Sequence, residues 1–255
     1  MFGVAHTQGM ELLAEPEAER RPAGAAARSL FARATAAHRY GGLRYAAGRA
    51  LRGNWAATYA LYWRDVSLED TRAGEQARGT AETVTCTLRE DEVDAYLEFR
   101  PTTHRAEALR RIAAGHVCRT IRTRERIISA VWLREDVIWL PVVKRAIALE
   151  RCEAYAYDSF TDPASRRSGV AQRRKIAVDE HLRERGITRL FTYVRSENMP
   201  SIRSVESSGY VAAGRISFVR LGPRSAVIRS WDDDSLRGRP MERAPGEYPA
   251  PAVGP

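Results

Sequence analysis

The chain has 255 residues with 44% hydrophobic residues, enough for one large domain or two small ones. Its net charge of +9 comes almost entirely from arginine, since Lys144 and Lys175 are the only lysines, and such a surface suits an anionic ligand, nucleic acid or an acidic membrane. Three cysteines without a C-x-x-C read as free thiols in a reducing cytoplasm, the five histidines make no metal-ligand pattern, and no apolar run approaches the ~20 residues of a membrane span.

Residues 1–25 are rich in Glu, Ala and Pro without periodicity, which predicts a disordered start with no apolar signal core. Residues 26–54 are expected to be a basic helical extension broken near Gly41-Gly42. From Arg20 to Arg64 there are nine arginines and no acidic residue. Over Leu43 to Leu51, leucine and alanine gather on one side and Arg44, Arg49 and Arg52 on the other. Packing on the rest of the protein is the first expectation for this segment. Peripheral contact with an anionic membrane comes second and nucleic acid third.

A strand is predicted over Thr58 to Val66, a polar linker over Ser67 to Thr80, and a second strand over Thr83 to Arg89. Thr102 or Thr103 is placed to cap a helix from Arg105 to Ala114, with Gly115 ending it. Val117 to Ile121 and Arg126 to Leu133 read as a hairpin around the polar turn Arg122 to Glu125. Val137 to Leu149 reads as strand plus loop. Cys152 to Thr161 is a strand, and a helix runs to Arg185 with Gly186 as its stop signal. A short strand follows over Arg189 to Val194, then a helix entry at Asn198, then a strand reading, as a bent pair, from Tyr210 to Leu221. Residues 223–255 hold six of the twelve prolines and are expected to be an extended, mobile tail.

The densest information lies between Thr161 and Tyr210. Arg166-Arg167-Ser168-Gly169-Val170-Ala171 reads as R-x-x-G-x-A between a strand and a helix. Unpaired N–H groups and the positive end of a helix dipole favour a pyrophosphate there. Gly169 removes the side chain where a ligand would touch the backbone, and Ala171 keeps the next inward position small. Asp162-Pro163 precedes this loop. Gly186 stands seventeen residues after Gly169, followed by Val194-Arg195-x-x-Asn198 and Glu206-Ser-Ser-Gly209-Tyr210.

This order and spacing resembles the GNAT superfamily of acyl-CoA N-acyltransferases. It is similar to the subgroup that acetylates ribosomal-protein N-termini. The match is specific over 152–222, loose over 83–151, and explains nothing before Trp55. The resemblance implies an α/β (αβα) fold, a mixed sheet with helices on both faces, over residues 55–222. It implies acetyl-CoA or another acyl-CoA as cosubstrate. The pyrophosphate would lie on Arg166 to Ala171. The pantetheine arm would pair with the backbone of Ser159, Phe160 and Thr161, assisted by Asn198 and Ser201 at the next helix start. The reaction would be direct transfer of a short acyl group to a primary amine in a ternary complex, with no metal and no covalent enzyme intermediate.

The chain departs from the family pattern at three catalytic positions, where Val205, Tyr193 and Tyr155 stand in place of the usual tyrosine and glutamates. The remaining acid–base candidates are Glu153, Tyr155, Tyr157, Asp158 and Tyr193. Residues 153, 155 and 157 share one strand face. Because of these departures, a repurposed acyl-CoA-binding or regulatory module is the competing class, ahead of nucleic-acid binding through the arginine-rich segment. Arg173-Arg174-Lys175 is a further departure, since relatives often place leucines there.

Overall fold

A computed structural model describes residues 9–14, 56–67, 83–141, 143–221 and 224–243. The basic extension expected over 26–54 lies outside the described residues. Twelve strands and four helices are described: β1 (Gly9–Ala14), β2 (Ala56–Asp65), β3 (Val84–Thr87), α1 (Val93–Phe99), α2 (Arg105–Ala113), β4 (Val117–Arg122), β5 (Ile127–Arg134), β6 (Val137–Leu140), β7 (Arg145–Ala148), β8 (Glu153–Thr161), α3 (Val170–Glu184), β9 (Arg189–Arg195), α4 (Met199–Ser207), β10 (Val211–Leu221), β11 (Arg224–Trp231) and β12 (Met241–Arg243).

The main sheet has nine strands in the order β1-β11-β10-β2-β9-β8-β5-β4-β3. The β8–β9 pair is parallel, and the other pairs of this sheet are antiparallel. The crossover between the two parallel strands is α3, as a parallel connection requires. Period-2 alternation then divides the side chains. Val131, Leu133, Ala154, Ala156 and Leu190 face α3, packing against Val178 and Leu182. Trp132, Cys118 and Ala130 face the other way, against Val93 and Tyr96 of α1 and Ala108 of α2. Helices therefore cover both faces of a mixed sheet, as expected.

Two predictions of local structure change. The sequence reading left 93–99 unassigned, but Val93 and Tyr96 are three apart, and both are fully buried on one face of a short helix. Thr103 is buried and does not cap α2. The residue at the cap is His104, which makes no side-chain cap bond.

The expectations for the two ends also change. Within the segment expected to be unstructured, Gly9–Ala14 pairs antiparallel with β11 along its whole length. The tail expected to be mobile from residue 223 instead supplies β11, a 3-10 turn at Asp234–Leu236, and β12. β12 completes a second, three-stranded sheet, β12-β7-β6. Leu236 and Met241 join Ile138, Leu140 and Ile147 against Leu61, Tyr155 and Phe191 of the main sheet. Apolar residues at 236 and 241 outweigh the prolines, because they meet a ready hydrophobic face. β10 is one strand with a bulge between Ala212 and Gly214. Gly214 is required there, since a Cβ would lie 2.4 Å from the Ser230 carbonyl oxygen.

Candidate active site

The parallel rungs between β8 and β9 run from Glu153↔Arg189 to Tyr155↔Phe191 and then stop. Past them, Thr192 Oγ1 donates to the Ala156 carbonyl at 3.0 Å, and the strands part. On its other edge β8 stays paired to β5, but the register slips between Ala130↔Phe160 and Trp132↔Tyr157. The extra β8 residue makes a bulge at Asp158, whose φ is 47°. Ser159, Phe160 and Thr161 thus lie beyond the last β8–β9 rung, with one backbone edge turned to the opening. This is the placement expected for residues that pair with an extended ligand arm.

The bulge is held from the α1–α2 side. Asp158 accepts from Arg100 Nη2 at 2.6 Å and Arg111 Nη1 at 2.8 Å, and Arg111 also reaches Glu107 at 2.6 Å. Arg100 lies over the Phe160 ring, and Arg111 over Trp132 and Tyr157. Burial alone would raise the Asp158 pKa. The two guanidinium groups outweigh it and hold the carboxyl below its ordinary value. Asp158 is thereby committed as an ion-paired anchor.

Asp162 caps the short turn Pro163–Ser165 through the Ala164 amide. The chain then passes through Arg167 at φ 63° and Gly169 at φ 77° before α3 begins. Nothing lies within 4 Å of a Cβ placed on Gly169, so its left-handed backbone is what calls for glycine there. The amides of the first helical turn have no intrahelical acceptor. Left-handed residues beside a helix start form a concavity suited to anions. Arg166, Arg167 and Ser168 are exposed around it, and Arg166 Nε reaches the Thr161 carbonyl at 3.4 Å. These residues fit a polyanion such as the diphosphate of coenzyme A. Val170 turns inward onto Ile121 and Ile128, whereas Ala171 is exposed. The expected inward place of Ala171 is therefore corrected. Its small side chain leaves the outer face of the loop open.

Asn198 Oδ1 accepts from the Ser201 amide at 3.3 Å, so the first role of this residue is to cap α4. Val205, where many relatives carry a tyrosine, packs against the buried cluster of Tyr62, Val194 and Ile202.

The phenols converge. Tyr157, Tyr155 and Tyr193 form a stack with centroid separations of 5.5 and 5.7 Å, and Tyr59 meets Tyr193 edge-on at 5.1 Å. They differ in what binds their hydroxyls. Tyr157 Oη is 2.6 Å from His116 Nδ1. Burial, with Arg134 beside it, pulls the His116 pKa down to about 4, so the ring is neutral near pH 7. Burial raises the pKa of Tyr155 and Tyr193 alike, but the hydrogen bond between them raises Tyr155 further and lowers Tyr193. Either hydroxyl of this pair can donate to the other. Tyr155 is buried and Tyr193 is half-buried.

Glu153 is not placed to relay a proton. It is 1% exposed and accepts from Arg239 Nη1 at 2.6 Å, Arg239 Nη2 at 2.9 Å and the Glu150 amide at 2.9 Å, with Arg189 at 3.4 Å. Burial would raise its pKa, and the bonds from Arg239 and Glu150 bring it below the ordinary value. Glu153 thus ties the C-terminal segment to the sheet. Sequence reasoning missed Arg100, Arg111, His116 and Arg239. Each reaches its partner across 41 to 86 residues, and no local spacing carries such a contact.

Among the described residues, no group of three or more His, Cys, Asp or Glu is placed to hold a metal ion, and no helix is long and apolar enough to cross a membrane.

A mixed sheet that opens at its parallel pair, with a left-handed glycine turn heading the crossover helix, defines a scaffold of the N-acyltransferase class. The chain belongs to the acetyltransferase (GNAT) family, whose sequence profile matches residues 55–210. Membership supports acyl transfer to an amine in general, and the family generally uses acyl-CoA. No curated protein matches the sequence. Similar solved structures include a conserved protein of unknown function from Staphylococcus epidermidis, with 8% identity, 87% of this chain and 73% of that one covered, and TM-score 0.45. An acetyltransferase of the GNAT family from Colwellia psychrerythraea has 11% identity, 69% and 56% coverage, and TM-score 0.43. An aminoglycoside 6'-N-acetyltransferase from Acinetobacter baumannii has 16% identity, 51% and 91% coverage, and TM-score 0.41.

Proposed function

We propose that this protein transfers an acetyl or other short acyl group from acyl-CoA to a primary amine by direct attack in a ternary complex, with Tyr193 as the general acid. The observation that carries this reading is the end of β8–β9 pairing at Tyr155↔Phe191, directly before the bulge and the Arg166–Ala171 turn. Acyl-CoA supplies the thioester carbonyl that the amine attacks. Arg166 to Ala171 hold the diphosphate, and Ser159 to Thr161, with Asn198 and Ser201, align the arm. Tyr193 stands on β9 two residues past the last rung, in the open part of the splay. Burial and the Tyr59 phenol keep it protonated, so it is present as a hydrogen-bond donor to the departing sulfur. Because an ordinary thiol pKa near 8.5 lies below that of a phenol, full transfer is uphill, and the proton lost by the attacking amine has to restore the phenol. Tyr157 is engaged by His116, and Tyr155 is buried whereas Tyr193 is half-buried.

The motif spacing makes a peptide α-amine the first acceptor to test, followed by lysine, amino sugars and small amines. Thiol release from acetyl-CoA is the assay. Tyr193→Phe should lower turnover by ~10²–10⁴, the range of acid–base groups, and leave affinity for CoA unchanged. Tyr155→Phe and Tyr157→Phe should do less. Full activity in Tyr193→Phe would remove it as the acid. Tight CoA binding with no turnover on any amine would favour the acyl-CoA-binding module, a reading supported by the commitment of both Glu153 and Asp158 to ion pairs.

A further inference from the structure

Arg174 lies on the second turn of α3, on the side turned to the sheet. Its Nη1 is 2.7 Å from Ser129 Oγ, 3.1 Å from the Phe160 carbonyl, 3.1 Å from Thr161 Oγ1 and 3.4 Å from the Ala130 carbonyl. All four partners are neutral oxygens. Among the described residues no carboxylate pairs with this guanidinium. Its neighbours differ: Arg64 and Lys175 share Asp179, Arg100 and Arg111 share Asp158, and Arg126 pairs with Asp162. Desolvation pulls the Arg174 pKa down to about 10, with no carboxylate to hold it up. A desolvated cation without a counter-ion is a cost to the folded state. An apolar residue would avoid that cost at a helix position facing the sheet.

The place of this charge suggests what offsets it. The oxygens around it include those of Phe160 and Thr161, the last residues of β8 before the anion-binding turn. The helix that carries it is the one whose first turn forms that site. The residue as a whole is of intermediate exposure.

We propose that Arg174 is a countercharge built into the floor of the coenzyme A groove, neutralised by the diphosphate of the ligand rather than by a protein carboxylate. The inference rests on the acyl-CoA reading above and adds a residue that the loop motif does not contain. It makes opposite demands on the two states of the protein. Without ligand the cation costs stability, and with ligand it adds affinity.

The test compares Arg174→Gln, which keeps hydrogen-bonding capacity but loses the charge, with Arg174→Lys, which keeps the charge. CoA affinity is measured by calorimetry at low and high salt, and the free proteins are unfolded by heat. The wild type should bind CoA. Arg174→Gln should bind at least about tenfold more weakly, the scale of a hydrogen bond to a charged group, with a shallower salt dependence. Arg174→Lys should stay within about threefold of the wild type by virtue of its retained charge. Free Arg174→Gln should unfold at or above the wild-type temperature. Unchanged affinity in Arg174→Gln, or equal losses in both variants, would overturn the proposal and leave a hydrogen-bonded strut. So would a Gln variant that fails to fold beside an intact Lys variant, since the free protein would then need the cation. A wild type that does not bind CoA would instead remove the acyl-CoA reading itself.

Discussion

Replacing Asp158 with Asn isolates the charge that anchors the β8 bulge. Asn tolerates a positive φ about as well as Asp, so the 47° backbone is kept and the two arginines lose their anion. Asp158, Arg100 and Arg111 have side-chain exposures of 9%, 10% and 2%, so solvent screens these pairs weakly. Arg111 retains Glu107 at 2.6 Å, which leaves the Arg100 pair to carry most of the loss. Breaking a buried pair by removing one partner costs about 3–5 kcal/mol, and the Asn carbonyl recovers part of that, so about 3 kcal/mol is expected. At ~2–4 °C per kcal/mol for a chain of this size, Tm should fall by roughly 6–12 °C in calorimetry. The pH dependence has a definite sign. A folded-state pKa held below the unfolded value gives stability that is fully present above the unfolded pKa, near 3.9, and is lost as pH falls through the folded value. The gap between wild type and Asp158→Asn should therefore be constant above about pH 5 and close in acid. A Tm shift below about 2 °C at pH 7 would refute the argument, because the ion pairs would then not be what holds the bulge.

Gly169→Asp should cost the fold only about 1–2 kcal/mol, since the loss is confined to a left-handed backbone with open space around it, yet it should abolish CoA binding in calorimetry through its charge. Arg239→Ala, which strips the buried Glu153 of its closest cation, should make the chain after Trp231 cleavable by limited proteolysis while the rest stays folded. Resistance equal to wild type would count against the C-terminal anchor. The His116 ring should titrate near pH 4 by NMR, and its contribution to stability should decline as pH falls from about 6.5 towards 4, because the unfolded chain takes up the proton first. A midpoint near 6.5 would mean that the ring is not desolvated against Tyr157.

Part of the short-range chemistry was legible in the sequence, although the expected Thr103 cap does not form and the helix over Val93–Phe99 carried no clear signal. Gly169 needs its left-handed backbone, Asn198 caps a helix, and Asp162-Pro163 starts a turn, whatever lies elsewhere. Alternation in Cys152–Thr161 placed residues 153, 155 and 157 on one face, and the family resemblance implied a mixed sheet with helices on both faces. The tertiary structure decided what each group on that face is for. Glu153 and, five residues on at the bulge, Asp158 have the same chemistry, but one meets Arg239 from the C-terminal segment and the other Arg100 and Arg111 from the α1–α2 region. Three adjacent phenols are alike in sequence and differ only in the partners folded against their hydroxyls, His116 for one and a neighbouring phenol for the others. The prolines after residue 223 argued for a free tail, while Leu236 and Met241 needed a hydrophobic face that exists only once β2, β8 and β9 are side by side. Local propensity acts over a few residues, whereas ion pairing and burial depend on elements brought together from across the chain.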